Sequence, residues 1–363
     1  MSKKLFDSSI TGKQDIIKIA HVITGLDVGG AERMVLDLIS ALESEPLMEA
    51  HLISVSNYNE MLTQYQDLSK KVVTLSVSFN PLYFLKGVRK LILYTKKHDI
   101  EILHAHMFHA LFISVFCKLF VPHLKIVFTS HSFMGFSRPR ELFIKITKVF
   151  RSADVLFSGR QHPKMNARNS VIIHNGVPIA DDLAYPINYS PEIVRFIFVG
   201  RLAVEKNPEA LLDAFSKAKS KHMELWFLGD GPLRPKLEEQ IQHLDLASRV
   251  RLLGRHMNVK EFMSKTSCLV MSSIYEGLPM VVLEAGSIGL PVLSTPVGCV
   301  PDVLDSNCGL VANIEDFPEM LDKIANNYQE MANRGKLLRL KICAEYSIAT
   351  MVDSHIQLYK KIQ

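Results

Sequence analysis

Two successive series of β-like runs alternating with helical segments limit what this chain can fold into. The first series opens at residues 16–24 and continues with β-like runs at 51–56, 72–77, 100–104, 125–130, 155–158 and 171–174. Helical periodicity fills the gaps, for example at 82–97 and 140–151. The series then restarts with an apolar strand at 194–199, a helix at 208–220 and a strand at 225–228. A helix at 233–243, a strand at 250–253, a helix at 259–265 and a strand at 268–271 follow. A helix at 280–287 and a strand at 291–294 complete it. Strands separated by helices build parallel sheets covered on both faces. At 363 residues the chain is also long for a single core. The fold class expected is therefore α/β, with two Rossmann-like, doubly wound domains and a linker near 178–192.

In such sheets ligands bind beyond the carboxyl ends of the strands. Gly29-Gly30-Ala31-Glu32-Arg33 follows the first strand and opens a helix. Its glycines let a ligand approach the backbone, and the helix start favours an anion. A tight turn with no ligand is the other reading. No G-x-G-x-x-G fingerprint is present, and Gly229-Asp230-Gly231 lacks the third glycine, so dinucleotide binding is poorly supported. Arg201 and Lys206 lie five residues apart after the strand 194–199. Together they can converge on a diphosphate, although two solvated loop charges are the plainer alternative.

Glu276, followed by Gly277 and Leu278, leads into a helix that carries Glu284. Seven intervening residues let the two carboxylates meet different parts of one extended ligand, while free N–H groups at the helix start suit a phosphate. The alternative is that Glu276 only caps the helix and Glu284 is solvated, but Glu284 stands among Val281, Val282, Leu283 and Ala285. His131 follows the run 125–130 and can offer a ring nitrogen to a substrate hydroxyl. A plain loop histidine fits the residues almost as well.

Several functions lose support. The spacing of His104, His106 and His109 suggests a metal site, but no carboxylate accompanies them, so no metal ligands are assigned. No Asp-x-Asp occurs to hold Mg²⁺ or Mn²⁺ on a diphosphate, and neither Gly-x-Ser-x-Gly nor a P-loop is present. The five cysteines are scattered, without Cys-x-x-Cys, which fits a reducing cytoplasm and argues against zinc. Residues 1–18 do not read as a signal peptide, and the apolar run 108–121 is too short to span a bilayer. Residues 1–188 hold 22 Lys/Arg against 16 Asp/Glu, while the remainder is near balance, so the first half better suits an anionic partner. Nucleic acid is a poor candidate for that partner, because no basic run with interleaved aromatics and no helix-turn-helix or zinc pattern occurs.

The joint order of these motifs resembles family 4 of the retaining glycosyltransferases, which have the fold called GT-B. The similar features are the Gly29–Arg33 loop, the His131 loop, Asn175-Gly176-Val177, Gly200-Arg201-Leu202 with Glu205-Lys206-Asn207, Gly229-Asp230-Gly231-Pro232, Glu276 with Glu284, and Gly289-Leu290-Pro291-Val292. They span most of the chain. Ser158-Gly159-Arg160 departs from the usual pattern and is assigned no role; Gly286-Ser287 also departs, harmlessly. The resemblance implies an acceptor-side domain over 1–180, a nucleotide-sugar domain over 190–345, and a closing helix at 346–363 that crosses back to the first.

Site roles follow from the same resemblance. Arg201 and Lys206 would hold the donor diphosphate, Glu276 the donor sugar and Glu284 the ribose. Gly29 and Gly30 would line the cleft, and His131 would touch the donor sugar or the attacking hydroxyl. The base would rest near Gly254 and Arg255. The implied reaction moves a hexosyl or N-acetylhexosaminyl group from a nucleotide-diphosphate sugar to a saccharide or polyprenyl-diphosphate-linked acceptor. The anomeric configuration would be retained, no metal or other cofactor is expected, and the product would be a bacterial O-antigen, lipopolysaccharide or capsule. A GT-B sugar-nucleotide epimerase and a non-catalytic nucleotide-binding protein are the competing readings. The expected location is cytoplasmic, with peripheral binding to the inner face of an anionic membrane. That expectation comes from basic amphipathic stretches at 82–97 and 140–151. Most of their apolar residues are nonetheless expected to pack on the domain's own sheet.

Overall fold

The computed structural model describes residues 16–27, 29–57, 61, 65, 72–77, 80–131, 137–159, 169–179, 187 and 192–363. Two sheets form, with parallel pairing between all neighbouring strands. The first comprises β1 (Ile17–Ile23), β2 (Met48–Ser54), β3 (Val72–Thr74), β4 (Ile102–His106), β5 (Lys125–Thr129), β6 (Ala153–Leu156) and β7 (Val171–Ile172). Its order is β3-β2-β1-β4-β5-β6-β7. The second comprises β8 (Val194–Val199), β9 (Met223–Leu228), β10 (Val250–Gly254), β11 (Cys268–Met271), β12 (Val292–Ser294) and β13 (Leu310–Val311), in the order β10-β9-β8-β11-β12-β13. Each sheet reverses its strand order beside its first strand, between β1 and β4 and between β8 and β11. A crevice at the strand ends is expected at both places.

In the first unit the helices are α1 (Gly30–Leu42), α2 (Pro81–Lys97), α3 (Met107–Phe120) and α4 (Arg138–Ile146). The apolar residues of α1 recur at helical spacing, and Met34, Val35, Leu38, Ile39 and Leu42 are buried. Asn80 caps α2 by accepting a hydrogen bond from Leu82 N at 2.9 Å, and Pro81 supplies a ready-made first-turn φ. The apolar run 108–121 is α3, which buries Leu111, Ile113, Val115 and Cys117 against the sheet.

The second unit carries α5 (Pro208–Lys217), α6 (Arg234–His243), α7 (Val259–Ser264), α8 (Met280–Ser287), α9 (Val300–Val303), α10 (Phe317–Asn326) and α11 (Tyr328–Glu345). The last helix, α12 (Ile348–Ile362), returns to the first unit. Its Met351, Val352, Leu358, Tyr359 and Ile362 join the core built on Ile17, Ile19 and Val35. Ser347 caps α12 through Thr350 N at 3.1 Å. The crossing is tight: a Cβ on Gly176 would lie 2.7 Å from Ile348 Cα, so the Asn175-Gly176-Val177 motif needs glycine there.

Several sequence-based limits move. β2 starts earlier than expected, at Met48, and β4 runs later, over Ile102–His106. The helix expected over 140–151 divides into α4 and a 3₁₀ turn, Thr147–Phe150. Most of the expected linker lies outside the described residues, as do Arg160 and the N-terminal segment up to residue 15. The apolar residues of the two basic stretches divide: Phe84, Val88, Leu91, Ile92, Tyr94, Phe143, Ile144 and Phe150 join or pack on the first unit's core, while Leu82, Leu85, Leu93, Leu142, Ile146 and Val149 are exposed. Val88 and Leu91 of α2 and Ile144 of α4 are the buried members of these faces.

Candidate active site

In the second unit the loops after β8 and β11 flank the strand-order reversal and are stitched together. Ser272 Oγ donates to Lys206 O at 2.9 Å and to Asn207 O at 3.0 Å, and Ile274 N donates to Glu205 O at 2.9 Å. Lys206 Nζ lies 2.5 Å from Glu276 Oε1, which also accepts from Ser273 Oγ at 2.6 Å. Two residues expected to act on one donor molecule are thus already in contact. Arg201 is exposed beside them, and its side chain makes no hydrogen bond or ion pair to a described residue. The turn needs glycine at 229, where a Cβ would sit 1.9 Å from Gly200 O. Gly277 and Leu278 lead from Glu276 into α8, and Leu278 is buried.

Glu284, on the second turn of α8, is only 7% exposed. Its Oε1 accepts a 2.8 Å hydrogen bond from Arg33 Nη1 of α1, in the other unit. Burial pushes the Glu284 carboxyl up, against the pull of the Arg33 and Lys260 cations. These groups border a cavity of about 260 Å³ lined by residues of both units, including Ile179, Met257, Asn258 and Lys260. Its size approaches the lower end for small-molecule sites. Gly254, at positive φ, accepts from Gly229 N at 2.8 Å, and exposed Arg255 follows it toward this cavity's 257–260 wall. Sequence alone gives neither Arg33 nor Lys260 a role. Only the fold brings both to Glu284.

The first unit faces this site with Gly29, Gly30 and His131. Gly30 lies against Met280 at the start of α8, where a Cβ would come within 3.0 Å of its Cγ. His131 extends from the end of β5. Its ring lies 5.5 Å from that of Phe157, a first-unit residue that joins the second unit's core around Leu278 and Val282. Behind it the structure collects more histidines than sequence spacing suggests. β1 and β4 place His21 opposite His104, and the two-residue repeat turns His106 to the same side. His21 Nδ1 lies 3.1 Å from His106 Nε2, and His106 Nδ1 lies 3.1 Å from His131 Nε2. His104 is held instead by Tyr359 Oη and Thr129 Oγ1, each at 2.7 Å.

His109 is not in this group; it is half-buried on α3, and His21 takes its place. One nitrogen from each of His21, His104 and His106 falls within 4.8 Å of the others, a spacing that a metal ion could use. Both ring nitrogens of His104 and of His106 are already hydrogen-bonded, which leaves little for a metal. Burial holds all these rings neutral: His21 and His131 are pushed down to about 3, and His104 and His106 fall well below the usual range.

Two units with facing strand-end crevices, and charged groups of both meeting between them, define a GT-B architecture. The comparisons identify which. A model described as Glycosyltransferase Family 4 matches residues 28–181, and one described as Glycosyl transferases group 1 matches 194–330. The chain belongs to the family 4 glycosyltransferases. It is 43% identical over 28% of its length to an uncharacterized glycosyltransferase of Methanocaldococcus jannaschii, of which it covers 25%. It spans about three fifths of the Schizosaccharomyces pombe and Arabidopsis thaliana phosphatidylinositol N-acetylglucosaminyltransferase subunits that it also matches. An alpha-1,4-N-acetyl-D-galactosaminyltransferase of Campylobacter jejuni, acting on a diNAcBac-PP-undecaprenol-linked acceptor, is 24% identical over 96% of this chain and 99% of its own. The crystal structure of Anabaena HepE in complex with UDP superposes with a TM-score of 0.82 at 18% identity, covering 95% of this chain and all of that one.

Proposed function

We propose that this protein transfers a hexosyl or N-acetylhexosaminyl group from a nucleotide-diphosphate sugar to a hydroxyl of a saccharide or polyprenyl-diphosphate-linked acceptor, with retention. The observation that carries this reading is the Lys206–Glu276 contact between two strand-end loops, with Arg201 on the same loop as Lys206, a short distance along α8 from the Arg33–Glu284 cavity. A diphosphate needs cationic donors, and a sugar and a ribose need acceptors for their hydroxyls. Arg201 and Lys206 stabilise charge growing on the departing phosphate, and that phosphate takes the acceptor's proton. Front-face displacement of this kind needs no second carboxylate beside Glu276. With two cations and a helix start on the diphosphate, no divalent ion is needed. An epimerase or a non-catalytic nucleotide-binding protein has less use for the Glu276–Glu284 pair.

The acceptor suits a membrane surface. Exposed Leu82, Tyr83, Leu85, Leu142, Ile146 and Val149 occur on α2, α4 and the turn after α4, interspersed with exposed Lys86, Arg89, Lys90, Lys145 and Lys148. The two helices meet through α3, where the rings of Phe84 and Phe143 lie 5.3 Å and 4.9 Å from that of Phe112. Apolar side chains beside basic ones suit an anionic bilayer. No helix of the described residues is long and apolar enough to cross one. Together with the bacterial lipopolysaccharide, O-antigen or capsule synthesis that the family resemblance implies, this surface makes the inner face of a bacterial membrane the working location. The test is a panel of nucleotide sugars, with nucleotide release measured with and without a polyprenyl-diphosphate-linked acceptor. Acceptor-dependent release from one donor is expected, and none from any donor would refute the reading.

A further inference from the structure

His106 makes two imidazole–imidazole hydrogen bonds, to His21 Nδ1 through its Nε2 and to His131 Nε2 through its Nδ1. A neutral imidazole holds one ring proton, so it donates at one nitrogen and accepts at the other. The three rings therefore form a directional chain: fixing the proton on one fixes it on all. His104 does not interrupt the chain, because Tyr359 and Thr129 occupy both its nitrogens.

The inner end selects the direction. His21 is fully buried, and its Nε2 has no hydrogen-bond partner among the described residues. A buried N–H without an acceptor is the rarer state of a polar group, whereas an imidazole lone pair tolerates C–H neighbours. His21 then carries its proton on Nδ1 and donates to His106 Nε2. His106 donates from Nδ1 to His131 Nε2, which leaves the His131 proton on Nδ1. That is the minor tautomer of free histidine.

We propose that His21 and His106 are positioning residues that lock His131 as its Nδ1–H tautomer. His131 then offers the cleft a hydrogen-bond donor, not a base. The oxygen that receives it is a hydroxyl or phosphate oxygen of the bound donor sugar-nucleotide or acceptor, a part of the inference that rests on the transferase reading above. Among the described residues, none is hydrogen-bonded to His131 Nδ1. The depressed basicity of all three rings keeps the chain neutral at physiological pH.

The test is long-range ¹H–¹⁵N correlation spectroscopy on protein labelled at histidine nitrogens, with His131 assigned by its loss in His131→Gln. The wild type should show His131 as Nδ1–H. His106→Leu should release it to the Nε2–H form, and His106→Asn, whose amide can donate from the Nδ1 position, should restore the native tautomer. If nucleotide-sugar turnover is found, kcat should fall about tenfold in His106→Leu with KM little changed and recover in His106→Asn, the size of one lost hydrogen bond. An Nε2–H tautomer in the wild type overturns the proposal, as does a tautomer insensitive to His106→Leu in protein that keeps its native circular dichroism. If His106→Leu does not fold, His21→Leu makes the same test from the chain's inner end. The spectra decide the tautomer lock whether or not any sugar is transferred, so failure of the transferase reading is seen separately.

Discussion

Arg33 and Glu284 join the two units directly: the guanidinium on the first turn of α1 donates to the carboxylate on α8 at 2.8 Å. The arginine side chain is 36% exposed and the carboxylate side chain 10%. The two are therefore unequal partners, since Arg33 can turn to water and Glu284 cannot.

Glu284→Ala should weaken donor use far more than it weakens the fold. A hydrogen bond to a charged group is worth about 1.5–3 kcal/mol, so kcat/KM should fall roughly 10- to 150-fold. Steady-state kinetics and a thermal melt check both halves. Unchanged kinetics would remove Glu284 from the site.

Arg201→Ala should lower kcat by about 10²–10³, the usual cost of one preorganised donor to developing charge. Lys206→Met should act similarly, but it also leaves Glu276 without its ammonium partner 2.5 Å away. The Lys206→Met/Glu276→Gln double variant should therefore be clearly better than the product of the two single losses. Strict additivity would mean that the pair does not act together.

On the proposed assignment, in which Arg201, Lys206 and the start of α8 carry the diphosphate charge, activity should persist in excess EDTA. Complete loss on chelation that Mn²⁺ or Mg²⁺ restores would show that this assignment is wrong.

Acid should unfold the protein early. His21, His104, His106, His131 and His355 all have folded-state pKa values lowered, chiefly by burial. Their unfolded values lie near 6.5, so the unfolded chain binds more protons below that pH. Their contribution is complete above about pH 6.5 and is lost as pH falls toward the folded values, by about 1.4 kcal/mol per group per pH unit. The buried carboxyls of Asp37 and Glu284, which are pushed up, work the other way but are fewer. Urea denaturation at pH 7.5 and pH 5.5 should show a large drop, reduced in His355→Gln. Equal midpoints at the two pH values would contradict it.

Liposomes test the membrane reading. The protein should sediment with anionic vesicles at low salt and be released at high salt, where screening is strong. Lys145→Glu/Lys148→Glu should abolish sedimentation. Failure to bind anionic vesicles even at low salt would leave the exposed leucines and Val149 without this partner.

The alternation of strand and helix made both sheets readable from sequence, because parallel strands buried on both faces keep their apolar runs intact. Val194–Val199 and Cys268–Met271 fall where the runs place them. The stretch from 300 to 345 was not divided into elements. The first of its three α-helices has only four residues, and the last is buried on only part of its surface. Arg201, Lys206, Glu276 and Glu284 stood out through type and spacing within single loops. Their contacts did not: Arg33 is 251 residues from Glu284, and His21 is 85 from His106. Local spacing pointed to His109 instead of His21, because only strand register sets residues of β1 and β4 side by side.

The return of α12 has a consequence for synthesis. Tyr359 and Ile362 belong to the same core as Ile17 and Ile19. A ribosome delivers these residues after both sheets, so the first unit is completed only once the second has been made. Residues 194–345 can collapse on their own contacts, while the early sheet waits with the hydroxyl that bonds His104 still unmade. Stopping translation before Ile348 would therefore damage the first unit more than the second.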